Sequence, residues 1–109
     1  MTDRELLENA AKAAGIVGEY ESWTYQGFNE GIRQVLNGIK CWKPWNPLTD
    51  DGDALRLAVK FLFEIDMGRG CIAIRHSTGI KILEAFNHDP YATTRRAIVR
   101  AAAEIGRNT

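Results

Sequence analysis

Trp45-Asn46-Pro47-Leu48-Thr49-Asp50-Asp51-Gly52-Asp53-Ala54-Leu55-Arg56-Leu57-Ala58-Val59-Lys60 decides how the rest of the chain is read. Pro44 and Pro47 forbid regular structure at its start. Thr49 or Asp50 then opens a helix. Asp50, Asp51 and Asp53 fall in its cap or first turn, where negative charge meets the positive end of the helix dipole. Leu55, Ala58, Val59 and Leu62 recur at i, i+3, i+4 and i+7 and predict an inward stripe. Arg56 and Lys60 form an i, i+4 pair on the outer face. Trp45 is expected to pack beneath this helix.

Downstream, the periodicity changes from helical to alternating. Phe63, Ile65 and Met67 alternate with Glu64 and Asp66. Residues 71–76 and 80–86 are two further apolar runs, and three-residue turns at Gly68-Arg69-Gly70 and Ser77-Thr78-Gly79 join the three. Turns that short allow only an antiparallel meander. Asp89-Pro90 then opens a last helix, with the acid as cap and the proline where its missing amide costs nothing. Ile98, Ala101, Ala102 and Ile105 make its apolar stripe, and Gly106 is expected to end it.

Upstream, Thr2 and Glu5 form a capping box for a first helix that Gly15 stops. Its alanines make a small-residue face suited to close approach to a sheet or another helix. Residues 19–25 alternate strictly and predict a strand. Residues 30–36 read either as a strand or as one helical turn, and 39–42 as a short strand. The fold expected is α+β: three helices and an antiparallel sheet of four to five strands, in the order α-β-(β)-α-β-β-β-α. One domain spans 1–109. The core should include Leu55, Ala58, Val59, Leu62, Ile72, Ile74, Ile82, Ile98, Ala101 and Ile105.

Composition narrows the function. A hydrophobic fraction of 45% and a charged fraction of 26% belong to an ordinary globular chain. The 14 basic and 14 acidic side chains cancel, so there is no overall basic excess to draw in a polyanion. Near-zero net charge favours self-association. The charged N-terminus lacks the apolar stretch of a signal peptide, and no run is long enough to span a bilayer. A cytoplasmic location away from membranes is expected, with Cys41 and Cys71 reduced and buried.

Two segments carry a family resemblance. Residues 45–60 resemble a Trp-[Asn/Ser]-Pro-x-x-Asp sequence followed by an amphipathic helix. Residues 92–103, Ala-Thr-Thr-Arg-Arg-Ala-Ile-Val-Arg-Ala-Ala-Ala, resemble a C-terminal helix in which alanine and arginine precede a small apolar run. Together they are similar to small bacteriophage and prophage proteins of the phage ABA sandwich domain family. The resemblance implies an α/β/α sandwich and a phage or prophage origin, and hence the cytoplasm of a bacterial host. It supplies no catalytic motif.

Chemistry has few candidates. Cys41, Cys71, His76 and His88 lack metal-ligand spacing, and the acidic run at 50–53 lacks the ligand series of a calcium loop. Gly68-Arg69-Gly70 is too short for a phosphate cradle and leads into a strand. No activated nucleophile is recognisable. The expectation is a protein without enzymatic activity, metal or cofactor, working through contacts with a host or phage protein or with another copy of itself. Its candidate contact surfaces are aromatic, at Trp23, Tyr25 and Trp42, and basic, at Arg95, Arg96 and Arg100 of the last helix. The alternative is a nucleic-acid or nucleotide-binding module built on those arginines. Against it stands a simple solvated helix face whose arginines pair with neighbouring acids.

Overall fold

The computed structural model describes residues 1–109. The element order is α1 (Asp3–Ala14), β1 (Gly18–Thr24), β2 (Phe28–Leu36), β3 (Ile39–Lys40), α2 (Asp51–Phe61), β4 (Glu64–Met67), β5 (Cys71–Arg75), β6 (Lys81–Ala85) and α3 (Pro90–Arg107). The α+β class and the order expected from the sequence are both present. The ambiguous stretch at 30–36 is strand.

Local chemistry explains the element ends. Thr2 accepts from the Glu5 amide, and the Glu5 carboxylate accepts from the Thr2 amide, so both halves of the capping box form. Asp50 caps α2 by accepting from the Asp53 amide, and Asp89 caps α3 through the Ala92 amide. Gly15 closes α1 in the left-handed conformation. Leu62 does the same for α2 at φ 53°, a conformation that a side chain makes costly.

The strands divide into two antiparallel sheets, β1-β2-β3 and β4-β5-β6, where one sheet of four or five strands was expected. The separation follows from the chain between them. Trp45 bridges to Ile32 on the flank of β2, and Pro47 and α2 follow before any further strand can form. α1 packs on β1 and β2, α3 packs on β5 and β6, and the two helices pack on each other. The helices therefore lie between the sheets, the reverse of an α/β/α arrangement.

Small residues bring α1 and α3 together. Asp3 pairs with Arg96 and Lys12 reaches the Thr109 carbonyl, so the two helices run parallel. Ala10 and Ala11 of α1 and Ala101, Ala102 and Ala103 of α3 are buried. Gly106, expected to end the helix, sits inside it instead. A Cβ there would collide with the Asn9 backbone carbonyl of α1, so only glycine permits the approach.

Within this core Ala58, Ile72, Ile74, Ile82, Ile98 and Ala101 are buried as expected. Leu55, Val59 and Leu62 are not: they are exposed, and Ile105 is half-buried. The inward face of α2 is instead Ala54, Leu57 and Ala58, with Phe61 packed against the core. Two apolar stripes on one helix satisfy the same spacing rule, and periodicity alone does not choose between them. The stripe facing inward is the one with two alanines, which lets α2 lie close against α3.

The Trp45–Asp53 stretch settles that choice by bonding. Asn46 donates its side-chain amide to the Glu30 carbonyl of β2 at 2.7 Å and accepts from the Leu48 amide. Its own backbone amide donates to Asp53 at 3.0 Å. Asp53 is thus a buried acceptor, where the sequence suggested helix-end charge. Arg56 holds its second oxygen at 2.6 Å. One asparagine ties the first sheet to the start of α2, and Trp45 is buried beside it.

Candidate interaction surface

The aromatic candidates lie on and beside the first sheet. Trp23 on β1 is half-buried, and the Arg33 guanidinium of β2 stacks over its ring with 5.5 Å to the centroid. Arg33 also bonds Glu21 at 2.9 Å and the Trp42 carbonyl at 2.7 Å. It therefore fixes the loop backbone that carries Trp42, whose side chain is 92% exposed. Lys40 adds a second bond to Glu21, and together Lys40 and Arg33 hold that carboxyl below the ordinary glutamate range. Tyr25 sits exposed at the β1–β2 turn. A single arginine thus connects Trp23 with the Trp42 backbone, and Tyr25 stands two residues beyond Trp23.

The basic candidates do not form one patch. Arg95 turns toward α2, donating to the Leu48 carbonyl and to Asp51 at 2.8 Å each. Arg96 and Arg100 lie on the other flank of α3, with Arg107 and two glutamates beside them. Arg96 pairs with Asp3 at 2.9 Å and Arg100 with Glu84 at 2.6 Å. Every arginine of the proposed basic face already holds a carboxylate of this chain.

An apolar concavity lies elsewhere, among α2, β4 and α3, with a volume of about 470 Å³. The left-handed turn at Leu62 joins α2 to β4. α3 packs beneath β5 and β6, so β4 overhangs the helix layer. Ile98 and Ala54 floor the opening. Leu55 walls one side, Ile65 and Met67 the other, and Tyr91 stands exposed at its end. Val59 and Leu62 continue the Leu55 stripe into solvent.

The sequence had assigned Leu55, Val59 and Leu62 to the core. One signal could have exposed them: Ala54, Leu55, Leu57, Ala58, Val59, Phe61 and Leu62 cover more of the helix circumference than one buried face needs. The interleaved Glu64 and Asp66 mark β4 as an edge, since charge there discourages indiscriminate strand pairing.

No group of three or more His, Cys, Asp or Glu side chains converges. Cys41 and Cys71 are both free; Cys71 is exposed and Cys41 half-buried, although burial was expected of both. No helix is long and apolar enough to cross a membrane. Comparison with protein-family models, curated proteins and solved structures returns no match to this chain.

Proposed function

We propose that this protein is a non-catalytic contact module, a phage or prophage accessory protein that works in the bacterial cytoplasm by binding another protein. The observation that carries the reading is the exposed apolar stripe Leu55, Val59 and Leu62, which runs on from a groove that Leu55, Ile65 and Met67 line. Contiguous apolar surface of this kind is a feature of protein interaction sites. The likeness of residues 45–60 and 92–103 to phage proteins supports the origin. Nucleic-acid binding through α3 has weaker support, because Arg95, Arg96 and Arg100 are occupied by Asp51, Asp3 and Glu84.

A photocrosslinking residue at position 59, with one at exposed position 8 as control, tests the reading in bacterial cells. The expected result is a discrete adduct at 59, lost in a Leu55→Glu background, and none at 8. No adduct at 59, or equal adducts at both positions, would sink it. Salt-sensitive binding to DNA or RNA that disappears on changing Arg96 and Arg100 to Glu would replace it with the nucleic-acid reading.

A further inference from the structure

The edge of β4 specifies what kind of segment the groove accepts. The Gly68 amide donates to the Cys71 carbonyl at 2.9 Å, which makes 68 and 71 a hydrogen-bonded pair. Antiparallel ladders alternate with a period of two, and Asp66 stands opposite Ala73, Glu64 opposite Arg75. The amides and carbonyls of Ile65 and Met67 therefore point away from β5. They form an open template for one more strand.

Side chains on that strand would alternate between two environments. Residues opposite Ile65 and Met67 share their face of the sheet, the face that bears buried Ile72 and Ile74, and would enter the apolar groove. Residues opposite Glu64 and Asp66 would lie on the other face. There two exposed carboxylates share one guanidinium, Arg75, at 3.3 and 3.5 Å, and Lys81 stands opposite Arg75 one strand further from the edge, so the carboxylates are the charges nearest to an added strand. A second copy of β4 would set carboxylates against carboxylates, which is unfavourable for directly opposed pairs.

We propose, building on the contact reading above, that the groove binds an extended segment of another protein in which apolar residues alternate with Lys or Arg. The segment adds to β4 as a fourth strand of the second sheet. Its main chain bonds Ile65 and Met67, its apolar side chains pack against Leu55, Met67 and Ile98, and its basic side chains meet Glu64 and Asp66. Main-chain pairing supplies affinity and the alternating pockets supply selectivity, as in other strand-addition complexes.

Three labelled hexapeptides of defined composition test this by fluorescence anisotropy: Lys-Val-Lys-Leu-Lys-Val, its Glu-for-Lys counterpart, and Lys-Lys-Lys-Val-Leu-Val. The alternating basic peptide should bind at least about tenfold tighter than either control. It should also slow hydrogen exchange at the Ile65 and Met67 amides. Changing Glu64 and Asp66 together to Lys should reverse the preference toward the Glu peptide, with the fold checked by circular dichroism. Equal affinity for the alternating and block orders, unchanged exchange at 65 and 67, or a dimer in sedimentation that the same double change disrupts would overturn the proposal. If the peptides fail while the crosslink at 59 persists, strand addition is wrong and the contact reading stands. If both fail, the contact reading falls with it.

Discussion

Leu55 and Leu57 are two residues apart on one helix and have opposite fates. Leu57 is 2% exposed in the core, and Leu55 is 61% exposed at the groove. Each belongs to a stripe with correct helical spacing: 54, 57, 58, 61 and 55, 59, 62. The difference shows that hydrophobic periodicity identifies a helix without orienting it. Rotation is chosen by whatever holds the helix from outside, here the Asn46 clip on Asp53. The stripe left over is available to a partner.

The sharpest way to break that comparison is to truncate both leucines. Leu57→Ala should destabilise by about 2–5 kcal/mol, transfer and cavity terms together. Leu55→Ala should change stability by less than about 0.5 kcal/mol. Urea midpoints shifted equally by the two would mean that the inward face has been misassigned.

Next in size is the clip. Asn46→Ala removes the donor to the Glu30 carbonyl and the acceptor for the Leu48 amide in a buried setting. A loss of about 2–3 kcal/mol is expected. Hydrogen exchange should report it first at the start of α2. A variant as stable as the parent would show that packing alone sets the rotation of the helix.

Acid should act at the same end of α2. The Asp53 amide, and then Lys43, hold the Asp50 carboxyl below its ordinary value. A depressed folded pKa contributes stability that is complete above the unfolded value, about 3.9, and is lost as pH falls through the folded one. Glu5, lowered by its bonds to Thr2, and Glu21, lowered by Lys40 and Arg33, act in the same direction. The melting temperature should therefore decline below about pH 4, and Asp50→Asn should flatten part of that decline. An unaltered acid limb in the variant would rule out this role for Asp50.

The smallest effect expected is a gain. Leu62 adopts φ 53° with its side chain 83% exposed. Leu62→Gly should therefore stabilise by up to about 1 kcal/mol, since the left-handed strain is relieved and little packing is lost. A clear loss would show that the side chain is needed within the isolated chain and not for an outside contact.

Much of the fold was legible because its signals are local. Thr2-x-x-Glu5, Asp89-Pro90 and the three-residue turns at 68–70 and 77–79 need no tertiary information, and all appear where the sequence places them. The meander was legible because short turns permit one topology. The division into two sheets was not, since it depends on Trp45 reaching back to Ile32 across a stretch that reads as irregular. Gly106 was misread for a similar reason. A glycine near a helix end signals a stop locally, and only the neighbouring helix reveals it as a point of contact. Of the aromatic candidates, Trp42 and Tyr25 are exposed and Trp23 is half-buried. The groove was missed because its residues look like core until the helix is oriented.

The parallel docking of α1 on α3 has a temporal side. Asp3 meets Arg96 across nearly the whole chain. Synthesis delivers α1 well before α3, so Leu6, Leu7 and Ala10 have no helix to rest on until Ala101–Ala103 exist. The meander 64–85 pairs only near neighbours and can organise as soon as it is made. Closure of the core must then wait until α3 has been made. Through that interval the first helix is held back, an apolar surface that a chaperone can shield and that an abandoned, half-made chain could never hide.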